Sequence, residues 1–420
     1  MRTTHLLLLP LAIGLSHRDA HAQSMSASSR TPSTADSAPV SLRWNRLVPQ
    51  IVQQATANRR AARLAAAGDS VALRRIAQTP LPFLFRVYSI LGVAQYSALS
   101  AARDASDASV DAAIAGASAA VLTDQYTDSA VRAVITRELT RDLERARAMT
   151  RDADRVSAGK RFGEEAARRA IDWAPAPNLA ESWNGTIPKG PGMWYSRPGL
   201  PPIGIALASA RGWLLDSASR FRPTPPPSYG TPAFQAALDE VRKVARERTH
   251  EQTTIAQRWN IADPWAPWNE TAANALLKHH ASDAEAVRVL AVLNVAASDA
   301  MIACFEAKYH YWTIRPSQAD TTLALADSVS LPNFPSYPSG HACSAGAFDA
   351  VLGHYLPDER AEFTRIAEEQ AMSRLYGGIH YRFDNDKGLE LGRAVARYAI
   401  EREARGGLNV LRNAGVARSP

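Results

Sequence analysis

The chain has 420 residues, of which 46% are hydrophobic and 21% charged, with 26 prolines and two cysteines. This composition supplies one large core or two ordinary ones, and it excludes a long disordered chain, a collagen-like chain and a disulfide-dense miniprotein. The net charge of +7 is spread over arginine-rich stretches with interleaved acidic residues. Such a distribution is typical of solvated helix faces, so nucleic acid is not an expected partner. Cys304 and Cys343 either pair in an oxidising compartment or stay buried thiols.

The first 41 residues predict export followed by a tether. An apolar run at residues 6–15 follows Arg2 and precedes the small-x-small site at residues 20–22, so we expect a signal peptide at residues 1–22 and a secreted or periplasmic protein. Residues 23–41 are rich in Ser, Thr, Ala and Pro and are expected to be disordered. No later apolar run approaches the roughly 20 residues of a membrane-spanning helix, so no integral membrane span is expected.

The remaining sequence predicts an all-α fold of two packed helical bundles, the second holding the chemistry. Apolar residues recur three and four positions apart over residues 42–173 and again from residue 231 onward. We therefore predict an N-terminal helical domain at 42–173, connecting loops at 174–230 and a catalytic bundle at 231–420. The connecting loops are rich in proline and aromatic residues, whose rings either line a substrate mouth or pin the loops to the core. The helices predicted for the catalytic bundle are Pro232–Trp259, Ser282–Ile314, Gly340–Leu356, Asp358–Met372 and Asn385–Ala404.

The first of three segments that suggest chemistry is the stretch from Lys308 to Arg315-Pro316. Seven positions on one helix bring two side chains to nearly the same direction, so Lys308 and Arg315 are expected to share a face. Pro316 is expected to end the helix just past Arg315. Two cations on one face either converge on an anion or are simply solvated.

The second segment runs from Phe334 to His341 through Pro338-Ser339-Gly340. It predicts a helix start with Ser339 near the N-cap, where unpaired N–H groups and a partial positive charge favour an anion. Gly340 leaves its amide open to close approach, and His341 is expected in the first turn facing the same anion. An ordinary capped helix is the alternative.

The third segment runs from Arg374 through Gly377-Gly378 to His380 and Asp384. The glycines are expected to break the helix, so that Arg374 and His380 point into one pocket. Asp384 is expected either to hold the Nδ1 proton of His380, leaving Nε2 free, or to cap the next helix. The two tasks are compatible.

Together the segments supply three cations, a hydroxyl, an open amide and two histidines. This set suits a tetrahedral oxyanion of multiple charge, and its cations disfavour a bound metal cation. The ordered pattern Lys308-x6-Arg315-Pro316, Pro338-Ser339-Gly340-His341 and Ser373-Arg374-x5-His380-x3-Asp384 resembles the three-part signature of a superfamily. Its members are type 2 phosphatidic acid phosphatases, bacterial class A acid phosphatases and vanadium-dependent haloperoxidases.

The resemblance implies a phosphate or vanadate site and assigns roles within it. The implied oxyanion-binding residues are Lys308, Arg315, Ser339, Gly340, His341, Arg374 and His380. His380 would be the phosphoryl-accepting nucleophile of a phosphatase or the apical vanadium ligand of a haloperoxidase, and His341 the general acid–base. Lys308 would polarise the oxidant, and Phe334 resembles the aromatic residue of a halide pocket.

The long helical region before the signature is similar to the haloperoxidase architecture. The leading expectation is therefore a vanadate-dependent haloperoxidase that oxidises halide with hydrogen peroxide. A soluble acid phosphatase acting on a phosphomonoester through phosphohistidine is the alternative, and an oxyanion-binding protein without activity is a third reading.

Overall fold

Helices form the regular structure of this computed structural model, which describes residues 38–67, 84–175, 185–261 and 263–409. Thirteen α-helices lie within these ranges, and the only β pairing in them is an isolated bridge between Met193 and Thr313. The all-α prediction is confirmed. The predicted signal peptide lies outside the described residues, as does most of the predicted tether. The last two tether positions, Val40 and Ser41, belong instead to the first helix.

The helices fall into two groups along the chain. Those of the N-terminal part are α1 (Val40–Ala65), α2 (Leu84–Asp104), α3 (Val110–Gln125), α4 (Ser129–Thr150) and α5 (Ala153–Trp173). Those of the C-terminal part are α6 (Pro232–Glu247), α7 (His250–Arg258), α8 (Ala266–Lys278), α9 (Asp283–Tyr311), α10 (Pro316–Ala319), α11 (Gly340–Tyr355), α12 (Arg360–Tyr376) and α13 (Arg382–Ala404). The residues from Ala38 onward form one compact unit, so the division into two domains stays a prediction.

Helix α9 is the central helix of the C-terminal part. Ser282 begins it with a capping box, in which its hydroxyl accepts from the Glu285 amide and the Glu285 carboxylate accepts from the Ser282 amide, satisfying donors at the helix start. Its 29 residues have a mean hydropathy of 1.7 over 18 positions, long and apolar enough to cross a membrane. However, 89% of that window is buried inside the protein, where α9 packs on α2, α11 and α13. The absence of a membrane span stays a prediction.

Glycines let α11 and α13 pack with their backbones in contact. A Cβ atom at Gly392 would lie 2.0 Å from the Cys343 carbonyl oxygen, and one at Gly346 would lie 2.4 Å from the Leu389 carbonyl oxygen. No side chain fits at such distances, so both positions require glycine for this approach. The contact holds the start of α11 against the start of α13, and both starts carry predicted site residues.

Several predicted helices differ from the structure. The one predicted to reach Ile314 ends at Tyr311, and the one predicted from Asp358 to about Met372 runs from Arg360 to Tyr376. The stretch Pro232–Trp259 is two helices, because Thr249 forms a second capping box with Gln252 and starts α7 afresh. The last helix begins at Arg382 rather than Asn385. Helix α8 was not predicted, although Pro267 in its first turn and the run from Ala272 to Lys278 are helix signals.

The connecting loops between α5 and α6 are pinned to the core by tryptophans. Trp194 and Trp213 are buried in the described part of these loops, whereas Tyr195 and Tyr229 are about half exposed. The Trp213 amide donates to the Asp299 carboxylate of α9 at 2.7 Å, and the amides of the next two residues donate to the same carboxylate. The core-pinning role therefore holds for the two buried rings.

Candidate active site

The predicted site residues come from five places on the chain and meet at one buried location. Lys308 lies in the last turn of α9, Arg315 just before α10, Ser339 to His341 at the start of α11, Arg374 near the end of α12, and His380 and Asp384 around the start of α13. His380 lies within electrostatic range of Lys308, Arg315, Arg374 and His341. The expected convergence of the three segments is therefore observed.

Arg315 reaches the site by a different route from the one predicted. Helix α9 ends at Tyr311, where Trp312 adopts a left-handed backbone with φ of 50°. The following residues leave the helix to pair with the loop around Met193, with Trp194 N donating to Trp312 O at 2.7 Å. Lys308 and Arg315 therefore do not share a helix face, because this pairing across about 120 positions of sequence ends the helix before Pro316 can.

Lys308 holds the backbone of the second segment. Its buried ammonium group donates to the carbonyl oxygens of Pro335 at 2.9 Å, Ser336 at 2.8 Å and Pro338 at 2.5 Å. All three protons are thus used, and Lys308 contributes positive charge to the site rather than a free donor. Burial is the main cause that lowers the pKa of Lys308 to about 8, which keeps it charged at neutral pH.

Arg315 and Arg374 each keep one buried N–H group without a hydrogen-bond partner among the described residues. Arg315 donates from Nε to Phe334 O at 2.9 Å and from Nη1 to Ile379 O at 2.8 Å, leaving Nη2 unpaired. Arg374 donates from Nη1 to Trp259 O at 3.2 Å, leaving Nε unpaired. Burial lowers the pKa of Arg315 to about 9 and that of Arg374 to about 10, so both remain cations at neutral pH.

Ser339 adds a buried hydroxyl group that also lacks a hydrogen-bond partner in the described part of the chain. It occupies the N-cap of α11, as predicted, but its Oγ caps no amide and has no partner among the described residues. A buried donor without a partner costs about 1–3 kcal/mol, more when it is charged. Two guanidinium nitrogens and a hydroxyl in this state fit an oxyanion, whose oxygens would accept from all three.

His380 is held as a neutral imidazole with an unprotonated Nε2. Its Nδ1 lies 2.8 Å from Asp384 Oδ2, and Nε2 lies 3.3 Å from Arg315 Nη1. Burial, followed by the nearby cations, lowers the pKa of His380 well below its usual value. The proton therefore sits on Nδ1, facing the carboxylate. The unprotonated Nε2 accepts the long contact from Arg315 Nη1, which a phosphorus or vanadium centre bound to Nε2 would replace.

Asp384 performs both of the tasks weighed for it. Its Oδ2 accepts from His380 Nδ1, from Ser336 Oγ at 2.5 Å and from the Tyr381 amide at 3.1 Å at the start of α13. Burial raises the pKa of Asp384 to about 6, opposed mainly by the Ser336 hydrogen bond. The carboxylate is therefore ionised at neutral pH and fixes the orientation of the imidazole.

His341 lies in the first turn of α11 and faces the cavity described below. Its Nε2 lies 3.1 Å from the Trp259 carbonyl oxygen, which also accepts from Arg374. Nε2 is therefore the protonated nitrogen, and Nδ1 is the atom that can accept a proton. Burial first, and Arg374 next, lower the pKa of His341 well below its usual value, so it begins a reaction as a base.

Phe334 lies against the two cations of the first segment. The Lys308 ammonium and the Arg315 guanidinium carbon are each 5.0 Å from its ring centroid, within the range of cation–π attraction. The ring also lines a cavity of about 520 Å³ that ends at Gly340, His341, Arg374 and His380. Its predicted role at a halide pocket stays a prediction.

Sequence reasoning missed three groups that support the site. Ser336 was inside the second segment but had no role assigned, although a hydroxyl five residues before His341 was visible. The Trp259 carbonyl and the Asn260 side chain both accept from Arg374, the latter at 3.5 Å from Nη2. Nothing in the sequence around Trp259 and Asn260 indicates this contact. A carbonyl acceptor on a distant loop is invisible until the fold places it.

Residues 288–404 match the family model of the PAP2 superfamily, a range that contains every predicted oxyanion-binding residue. The similarity to the PAP2 superfamily thus covers the region that carries the candidate site. The chain is also 33% identical to the vanadium-dependent bromoperoxidase of Ascophyllum nodosum in an alignment of 101 positions. That alignment covers 17% of this chain and 18% of the bromoperoxidase.

Solved structures extend the similarity over most of the chain. A crystal structure described as the first bacterial vanadium-dependent iodoperoxidase is 25% identical, with a TM-score of 0.63 over 76% of this chain and 90% of that one. An apo-type bacterial vanadium-dependent chloroperoxidase is 14% identical, with a TM-score of 0.61 over 78% of this chain and 95% of that one. The second likeness shows the fold alone. The comparisons therefore relate the chain to the haloperoxidase and PAP2 group of enzymes.

Proposed function

We propose that this enzyme is a vanadate-dependent haloperoxidase that oxidises halide with hydrogen peroxide. The observation that carries the proposal is the set of partnerless buried donors, Arg315 Nη2, Arg374 Nε and Ser339 Oγ, around a neutral His380 with an unprotonated Nε2. The similarity to a vanadium-dependent iodoperoxidase over 90% of its length supports vanadate as the oxyanion.

The residues would hold vanadate by charge and by a bond to His380. Arg315, Arg374 and Ser339 would donate to its oxygens, and Nε2 of His380 would bind the vanadium atom. Lys308, which donates to the backbone of residues 335–338, would add positive charge without contacting vanadate through a free donor. When bound, vanadate supplies a Lewis-acidic centre that activates hydrogen peroxide toward halide.

His341 moves the proton in this mechanism. Its Nδ1 is unprotonated at neutral pH, so it can accept a proton from hydrogen peroxide and later return it to a leaving oxygen. An oxyanion would offset the cations that hold the pKa of His341 down, so the pKa is expected to rise when the site is filled. Asp384 keeps the Nδ1 proton of His380 in place throughout.

A soluble acid phosphatase is the second candidate, because the same unprotonated Nε2 of His380 can accept a phosphoryl group. In that reaction Nε2 attacks phosphorus in line, the two arginines bind the equatorial oxygens, and His341 protonates the leaving oxygen. We also propose that the protein is secreted or periplasmic, on the strength of its apolar N-terminal run.

A paired assay separates the two reactions. The purified protein is tested for bromide oxidation with hydrogen peroxide after vanadate loading, and for hydrolysis of an aromatic phosphomonoester without vanadate. We expect bromide oxidation to dominate and both activities to be lost in His380→Ala, whereas His310→Ala, at an exposed histidine of α9, keeps them. Phosphatase activity alone would favour the second candidate, and activity in His380→Ala would remove His380 from the mechanism.

A further inference from the structure

The cavity that ends at the oxyanion site is built largely from residues outside the superfamily signature. Its walls include Val52 of α1, Phe85 of α2, Leu207 of the connecting loops, Trp265 just before α8, and Phe305 of α9. The N-terminal helices and the connecting loops thus complete a chamber, here called the apolar cavity, above His341 and His380.

The apolar cavity is much larger than the small reactants require. Its volume is about 520 Å³, whereas a water molecule takes about 30 Å³ and a halide ion or hydrogen peroxide is of similar size. Cavities of roughly 300–1,000 Å³ are those that enclose drug-sized ligands. The volume is therefore that of an organic substrate.

The lining fixes the chemical class of such a substrate. The titratable side chains among the described lining residues are Tyr126 and the site residues His341, Arg374 and His380, and neither a carboxylate nor a lysine lines the walls. A charge on the substrate away from the oxyanion end would be buried without a partner, which is strongly unfavourable. Five aromatic side chains line the cavity, Phe85, Tyr126, Trp265, Phe305 and Phe334, and their rings favour edge or offset contact with another ring.

We propose that the apolar cavity binds a neutral, largely apolar aromatic compound, which is halogenated inside the protein rather than by hypohalous acid released to solvent. The proposal rests on the haloperoxidase function for its reaction, but the binding of the aromatic compound does not depend on it. Halogenation in place confines the reagent to the ring positions that face His341 and His380.

The overall reaction balances for bromide as the halide. One arene C–H bond is replaced by a C–Br bond, and bromide gives up two electrons to hydrogen peroxide, whose O–O bond breaks. The arene proton and one proton from solvent join the two oxygens, so one arene, one bromide, one peroxide and one proton yield one bromoarene and two waters. His341 Nδ1 is placed to pass these protons.

Helix α1 offers a variant that narrows the apolar cavity without touching the oxyanion site, and a matched control. Val52 is buried and lines the cavity, whereas the next residue, Gln53, is exposed and does not line it. Val52→Phe places a ring in the cavity, and Gln53→Phe places the same ring in solvent. Thr56→Phe, one turn further along α1 at a more exposed part of the lining, gives a second narrowing variant that leaves the core intact.

The first readout is binding, measured by calorimetry with 1-naphthol as the probe and phosphate added to fill the oxyanion site. We expect saturable binding of one equivalent, weakened at least tenfold in Val52→Phe and Thr56→Phe and unchanged within twofold in Gln53→Phe. The same ring system carrying a sulfonate is expected to bind at least tenfold more weakly. Absence of 1-naphthol binding, or equal binding in all variants, would overturn the proposal.

The second readout is the ratio of 2-bromo to 4-bromo products from 1-naphthol, bromide and hydrogen peroxide with the vanadate-loaded protein. We expect a ratio different from that given by free hypobromite and altered by Thr56→Phe. A ratio equal to that of hypobromite would overturn halogenation in place, even with naphthol bound. If bromide is not oxidised at all, the haloperoxidase function fails, while the calorimetry still decides whether the apolar cavity takes the aromatic compound.

Discussion

Replacing Asp384 by asparagine removes one buried negative charge beside His380 and keeps the shape of the side chain. Oδ2 accepts all three hydrogen bonds, from His380, Ser336 and Tyr381, whereas Oδ1 has no partner among the described residues. The asparagine oxygen can take the place of Oδ2 and the amide nitrogen that of Oδ1. The variant therefore isolates the charge.

The loss of charge weakens the bond that His380 can form through Nε2. A hydrogen bond to a charged acceptor contributes about 1.5–3 kcal/mol and one to a neutral acceptor about 0.5–1.5 kcal/mol. The difference of about 1–2 kcal/mol corresponds to a factor of about 5–30 in affinity. Phosphate, which binds by charge alone, is expected to bind Asp384→Asn at least as well as the unsubstituted protein, because the site becomes more positive.

The assay compares the dissociation constants of vanadate and phosphate by calorimetry. We expect the preference for vanadate to fall about 5–30-fold in Asp384→Asn. Asp299→Asn is the control. Asp299 of α9 is buried like Asp384, but among the described residues it accepts only from the backbone amides of residues 213–215, so this variant is expected to lose stability and keep the preference. An unchanged preference in Asp384→Asn would refute the view that Asp384 tunes the Nε2 bond.

The same variant tests the pKa of Asp384 through stability. Burial raises this pKa from 3.8 to about 6, so the folded state holds the proton more tightly than the unfolded chain. The stabilisation is complete below about pH 3 and is lost as the pH rises through 6, a change of about 3 kcal/mol. From pH 3 to pH 8 the unsubstituted protein is therefore expected to lose about 3 kcal/mol more stability in urea unfolding than Asp384→Asn does, and parallel pH profiles would contradict this reading.

Three further substitutions or labels test the surroundings of the site. Lys308→Met leaves three buried carbonyl oxygens without their donor, so we expect a loss of at least about 3 kcal/mol in urea unfolding; a loss below about 1 kcal/mol would show that Lys308 does not hold the segment. Ser336→Ala removes a hydrogen bond that lowers the pKa of Asp384, so the acid limb of the activity profile is expected to move to higher pH, and a shift to lower pH would contradict the assignment. Cys304 and Cys343 are buried free thiols, so a chromogenic thiol reagent is expected to label neither in the native protein and both after unfolding without reductant; labelling of neither after unfolding would indicate a disulfide.

The chemistry of the site was predictable from sequence because it is concentrated in three short segments. The residue types of Lys308, Arg315, Arg374 and His380 carry the charge and the imidazole wherever the chain places them. The N-cap position of Ser339 was predictable for the same reason, since Pro338 and Gly340 are local signals.

The geometry that joins these segments was not predictable from local pattern. Helix α9 ends at Tyr311 because residues 312–314 pair with a loop far away in sequence, so the shared helix face expected for Lys308 and Arg315 does not exist. The apolar cavity needs Val52, Phe85 and Trp265 from three separate regions. Apolar residues on helices look alike in sequence, whether they face the core or a cavity.

We infer that the partnerless donors of Arg315, Arg374 and Ser339 and the unprotonated Nε2 of His380 form one oxyanion site. A crystal structure of the protein soaked in orthovanadate tests it most directly. The account predicts one vanadate with vanadium bonded to His380 Nε2 and with oxygens within hydrogen-bond distance of Arg315 Nη2, Arg374 Nε and Ser339 Oγ. Vanadate bound elsewhere, or those donors still without partners beside it, would contradict the account.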